Sequence, residues 1–134
     1  MELQVGVKIL LKNKDGKYLL LRRSPEKYPE ASKQWDIVGG RIDTGNTLIE
    51  NLRREVMEET GLEILGEPEL VRAQDIIPNS ERHIVRLTYV GRADGTPVLS
   101  EEHTEYNWFT LEELRKIENL DKYFKELLES GIIL

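Results

Sequence analysis

Three glutamates, Glu55, Glu58 and Glu59, stand at offsets of zero, three and four residues. At about 100° per residue, these offsets place all three carboxylates within an arc of roughly 100° if the segment is an α-helix. Like charges so spaced repel, each close pair costing about 0.2–0.5 kcal/mol, whereas a helix that needs only solubility interleaves opposite signs. Two readings follow. One is a solvated acidic face. The other is a set of carboxylate oxygens converging on a hard divalent cation, which would lower the pKa of a bound water and polarise a bound substrate.

The flanking residues decide how such a helix would sit. Thr47-Leu48-Ile49-Glu50 has the form of a capping box, with the threonine hydroxyl accepting from the third helical N–H and the glutamate reaching back. The helix is expected to run to about Thr60, with Gly61 as the left-handed residue that ends it. Leu48, Ile49, Leu52 and Val56 form its apolar stripe, which adjoins the carboxylate arc rather than opposing it. The carboxylates would therefore lie at the edge of a core, partly shielded from water. Glu50 projects to the far side and is left out of the site. Ahead of the helix, Gly39-Gly40 reads as a glycine-rich turn.

From Gly40 to Leu62 the chain resembles the signature of the Nudix (MutT-like) hydrolases. Gly40 opens the box, Arg54-Glu55-Val56-Met57-Glu58-Glu59 forms its centre and Gly61-Leu62 closes it. One position departs, because Asn46 stands where the family usually has Glu. The preceding Trp35-Asp36-Ile37-Val38-Gly39-Gly40 and the later run from Trp108 to Leu114 extend the resemblance over most of the chain.

The resemblance implies a metal-dependent hydrolase of diphosphates, with Mg²⁺ as cofactor and Mn²⁺ as a substitute. Glu55, Glu58, Glu59 and a backbone carbonyl of the Gly39-Gly40 turn, assigned to Gly40, would hold the metal. Arg54 would brace the loop by pairing with a carboxylate; with Asn46 in the usual place, Asp43 or another acid takes over. Arg23 and Arg41 are the candidates for phosphate contact, since arginine makes forked contacts with phosphate oxygens. A further acid, metal-binding or a general base, would come from Ser100–Glu105, with Glu102 as the choice. His83 and His103 show no partner at ligand spacing and receive no role. Trp35 and Trp108 read as packing residues. Pro78 lies sixteen positions past Leu62, a spacing associated with ADP-ribose-cleaving members.

The substrate implied is a small nucleoside diphosphate linked to another moiety, ADP-ribose or a nucleotide sugar. A nucleoside triphosphate or oxidised nucleotide is the alternative, and a non-catalytic nucleotide-binding module, motivated by Asn46, is the rival of another class. The related isoprenoid diphosphate isomerases use a cysteine, and this chain has none.

Composition sets the remaining bounds. The 134 residues are expected to form one domain over 1–134, large enough for a core without metal or disulfide staples. No cysteine means no zinc thiolate site and no thiol nucleophile, consistent with a cytoplasmic location. A net charge of −6 argues against binding long nucleic acid, which wants a basic stripe, and charges break the N-terminal apolar run too early for a membrane span. A homodimer is compatible with all of this. Strands are expected at Gln4–Leu11, Tyr18–Leu21, Trp35–Val38, Leu62–Ile77, His83–Val90 and Glu105–Phe109. A second capping box, Thr110-Leu111-Glu112-Glu113, opens a short helix, and a final amphipathic helix spans Leu120–Ser130. That order suggests a mixed sheet with helices on both faces, in agreement with the α/β/α sandwich the resemblance implies.

Overall fold

The computed structural model describes residues 1–24 and 34–132. Along them run β1 (Glu2–Lys12), β2 (Tyr18–Arg23), β3 (Trp35–Asp36), β4 (Val38–Arg41), α1 (Leu48–Thr60), β5 (Leu65–Ile76), β6 (Arg82–Arg92), β7 (His103–Phe109), α2 (Leu111–Lys116) and α3 (Lys122–Glu129). No helix among the described residues is long and apolar enough to cross a membrane.

Strand β1 organises the sheet. Val7, Ile9 and Leu11 are buried on one face and Leu10 on the other, because successive side chains of a strand alternate. A strand apolar on both faces has to be covered on both. Helix α1 covers the first face, where Leu52 and Val56 meet Val7, Ile9, Leu19, Val38 and Tyr89; each such fully buried side chain is worth about 1.5–3 kcal/mol relative to exposure. Helices α2 and α3 cover the second face, bringing Leu114, Phe124 and Leu127 onto Leu10, Leu20 and Ile37. The result is the expected α/β/α sandwich around a mixed sheet, in the order β3-β2-β1-β6-β5.

The way β1 divides its partners positions everything that follows. It pairs in parallel with β6 along its whole length, from Glu2↔Arg82 to Lys12↔Arg92. After the tight turn at Asn13–Gly16 it meets β2 at only one register, Lys12↔Tyr18. The side of β1 that β2 vacates is taken by β4, antiparallel, from Gly6↔Arg41 to Ile9↔Val38. The Gly39-Gly40 pair, expected in a turn, is therefore strand, and the turn falls later, before Thr47. Backbone pairing with β1 overrides the glycine signal here.

Element ends shift elsewhere for similar reasons. Strand β2 runs on to Arg23 and β7 begins at His103, two residues before the expected start, because the two strands pair up to Arg23↔His103. Helix α3 starts after Asp121, whose carboxylate accepts from the Tyr123 and Phe124 N–H groups, so the chain around Leu120 expected to be helical is not. Of the expected loop from Arg22 to Gln34, residues 25–33 lie outside the described residues.

Candidate active site

Helix α1 is capped as its sequence requires. The Thr47 hydroxyl accepts from the Glu50 N–H, and Glu50 accepts from the Thr47 N–H at 2.8 Å, which ties Glu50 to the cap and away from the cleft. Gly61 closes the helix at φ 69°. Between these caps the acids face β4. A Cβ on Gly40 would stand 2.5 Å from a carboxylate oxygen of Glu55, so glycine is needed there for the close approach of Glu55. Gly39, at φ 146°, leaves no room for a Cβ beside the Val7 carbonyl, and its N–H donates to Glu59 Oε1 at 3.2 Å.

The acids and the predicted arginines share one cleft of about 430 Å³, lined by Glu55, Glu58, Glu59, Glu102, Arg23 and Arg41 together with Gly39 and Gly40. Within it the three box glutamates divide. Glu55 turns to Arg54 Nη2 at 3.0 Å, and Glu58 lies toward solvent, 3.7 Å from Arg54 Nε. Glu59, 5% exposed, joins Glu102 and His103 instead, each offering one ligand atom within 4.8 Å of the others. His103 is the residue that sequence reasoning passed over. Its group joins α1 to the start of β7, more than forty positions apart in the chain, and the one local signal was its place beside Glu102. His83, also given no role, pairs with Asp75 at 2.8 Å on neighbouring strands β5 and β6.

Burial sets the electrostatics of this group. Burial pushes Glu59 up to about 7, with Lys8 and the Gly39 N–H pulling the other way. Burial, with Arg23 and Lys8, brings His103 down to about 4, so near neutral pH the ring is uncharged, the form that ligates metal. His103 Nδ1 is buried without a hydrogen-bond partner. Two carboxylates and a neutral imidazole with an unpartnered ring nitrogen fit a divalent cation.

Arg54 is the brace of the loop. Its Nη1 donates to Asp43 Oδ2 at 2.8 Å and Asn51 Oδ1 at 2.7 Å, and its Nη2 reaches the Arg41 carbonyl at 3.3 Å. Asp43 takes the place of the box glutamate, while Asn46 contributes its backbone carbonyl to Asn51 Nδ2 at 3.2 Å. Buried Asn51 ties this together, since its Oδ1 also accepts from the Asp43 N–H at 2.8 Å. Trp35 packs edge-on against Phe109 with centroids 5.2 Å apart, and Trp108 packs against the α1-side core. A second pocket, of about 290 Å³, shares Arg23 and Arg41 with the acidic cleft and is also lined by Ile76, Pro78 and Tyr123.

Comparison with known proteins agrees with this construction. The NUDIX domain family matches residues 2–130. An RNA pyrophosphohydrolase of Bartonella bacilliformis is 40% identical over 60 residues, 42% of this chain, and a MutT-like protein of Streptomyces ambofaciens is 28% identical over 111 residues, 82% of this chain. The chain spans 35% and 66% of the lengths of those two relatives. Among solved structures, a MutT protein from Methanosarcina mazei Go1 superposes with a TM-score of 0.83 at 32% identity, covering 96% of this chain and 91% of the other. A MutT NUDIX hydrolase from Burkholderia pseudomallei gives 0.81 at 26% identity, covering 96% and 98%. With its glutamate-bearing helix held against a glycine strand and braced by Arg54, the chain belongs to the Nudix, MutT-like hydrolase family.

Proposed function

We propose that this chain hydrolyses a nucleoside diphosphate linked to another moiety, ADP-ribose or a nucleotide sugar, by attack of water on phosphorus. The observation that carries this reading is the pair of cavities sharing Arg23 and Arg41 in their walls. A diphosphate at the shared arginines would leave one half of the substrate in each direction. Pro78 lines the second cavity, which supports the reading that the distal moiety lies there.

Glu59, Glu102 and His103 would hold the divalent ion, Mg²⁺ or Mn²⁺, with Glu55, Glu58 and the Gly40 carbonyl as the further donors of the same cleft. When bound, such an ion supplies an acidified water and neutralises charge on the phosphate oxygens. Arg23 and Arg41 orient the diphosphate through forked contacts. Glu102, half-buried beside Glu59, is the carboxylate we assign to take the proton of the attacking water. Arg54 acts at one remove, holding Glu55 through its Nη2 and the loop through Asp43.

The test is phosphate release by the purified protein, with and without Mg²⁺. The panel would cover ADP-ribose, nucleotide sugars, dinucleoside polyphosphates and normal and oxidised nucleoside triphosphates, with Glu59→Gln as control. A preferred two-part diphosphate, lost without metal and in the variant, is the expected result. Preference for a simple triphosphate would replace the substrate class. Nucleotide binding with no turnover at any metal level would replace the hydrolase by a binding module.

A further inference from the structure

The second pocket has a charge balance that a neutral sugar or base does not explain. Its lining carries the cations of Lys8, Arg23, Arg41, Arg82 and Arg86 against the carboxylates of Asp36 and Asp121, in a protein whose net charge is −6. At the floor the signs cancel. Arg86, 5% exposed, reaches Asp36 through Nη2 and Asp121 through Nη1, each at 3.1 Å, and Lys8 Nζ lies 3.1 Å from Asp36. Both acids are thereby engaged below, and Arg41 and Arg82 stand exposed at the rim. Buried Arg86 Nε has no hydrogen-bond partner.

Strand register builds this rim. Gly6 of β1 sits between Arg41 of β4 and Arg86 of β6 in one row across the sheet, so their side chains share a face. With no side chain on Gly6, the Arg41 arm lies across β1, its Cδ 3.9 Å from where a Cβ would stand. Gln4 Oε1 accepts from Arg41 Nε at 2.9 Å and holds the arm there. Burial lowers the Arg41 pKa, and the neighbouring charges of Arg82 and Arg23 lower it further, the mark of guanidinium groups crowded against repulsion. Arg82, on the exposed start of β6, has no ion pair among the described residues.

We propose that Arg82, beside the Arg41 that orients the diphosphate, makes an anion subsite, which takes a phosphate group carried by the substrate beyond the diphosphate that is cleaved. The inference rests on the hydrolase reading above and narrows its substrate class. The extra phosphate has two chemical sources, a phosphomonoester on the distal sugar or a longer phosphate chain. Arg82 is then a specificity-determining residue, outside the lining of the carboxylate cleft and without a part in the chemistry.

The experiment compares ADP-ribose with an ADP-ribose phosphorylated on its distal ribose and with a dinucleoside tetraphosphate, in the wild-type protein and in Arg82→Gln and Arg82→Lys. For the wild type, KM is expected to be about tenfold or more lower for at least one of the extra-phosphate substrates, and which one names the source. Arg82→Gln should erase that advantage at unchanged kcat and leave ADP-ribose as it was, while Arg82→Lys should retain most of it, since one charge-assisted contact is worth on the order of tenfold. Equal KM with and without the extra phosphate would overturn the proposal, as would an Arg82→Gln effect equal on all substrates. A calorimetric titration with inorganic tripolyphosphate, metal-free, separates this from failure of the hydrolase reading. If no substrate turns over but tripolyphosphate still binds and Arg82→Gln weakens it about tenfold, the subsite stands without the hydrolase. No binding in that titration sinks it.

Discussion

The acidic cleft and the arginine pocket meet at Arg23 and Arg41, yet they treat charge in opposite ways. In the pocket, the buried cation Arg86 has two carboxylates within ion-pair distance, and burial of Asp36 is outweighed by Lys8 and Arg86, which bring its carboxyl down to about 2. In the cleft, the buried acid Glu59 accepts from the Gly39 N–H at 3.2 Å, and burial outweighs the pull of Lys8 and Arg23 and pushes it up to about 7. One region satisfies its buried charge from within the chain and is built into the fold. The other keeps a buried carboxyl at an uncommonly high pKa, beside the acids that the proposed function assigns to a cation.

That contrast can be broken at several points. Arg86→Leu should have the largest effect, destabilising the protein by about 3–5 kcal/mol, because it takes from Asp121 its ion-pair partner and leaves Asp36 to Lys8. Urea unfolding measures it, and a loss below about 1 kcal/mol would mean that water already satisfies those acids. Glu59→Gln should do the reverse, leaving the fold intact while costing at least about 10²-fold in kcat. Near-normal turnover in the variant would remove Glu59 from the site.

The pH dependence of the metal-free protein sharpens the comparison further. Glu59, raised from 4.5 to about 7, binds more protons folded than unfolded across that window, so its contribution to stability falls as pH rises through it. His103, lowered from 6.5 to about 4, binds fewer protons folded, so its contribution rises with pH over that range. The two oppose each other, and melts of the wild type in chelator should change little between about pH 5 and pH 6.5 from these groups. Glu59→Gln should leave the rising limb and His103→Gln the falling one, each on the order of 2 kcal/mol over that interval. Parallel melting curves for both variants would show that the pair does not titrate in this way. At the small end stands the loop brace. Because Asp43 already holds Arg54, Asn46→Glu should change kcat/KM by less than about twofold, whereas Asp43→Ala should lower it several-fold, in line with an exposed ion pair worth up to about 1 kcal/mol. A tenfold gain in Asn46→Glu would mean that Asp43 is an inadequate substitute.

What the sequence by itself determined was local in origin. The capping boxes at Thr47–Glu50 and Thr110–Glu113 form as written, since a cap depends on residues three positions apart. The arc of Glu55, Glu58 and Glu59 follows from helical periodicity alone, and so does its place at the edge of the core beside Leu52 and Val56. The sandwich follows from strands apolar on both faces. Tertiary structure decided what crosses between elements. It turned the Gly39-Gly40 pair into strand, because β2 parts from β1 after one register pair and β4 fills the space. It chose Asp43 as the partner of Arg54, brought His103 to Glu59 and Glu102, and joined Asp36 to Arg86 across fifty positions of chain. Of these, Asp43 already stands among the acids that the sequence names for Arg54; the others could not be read in advance, because sheet register sets them, and register arises from the packing of whole faces rather than from any short run of residues.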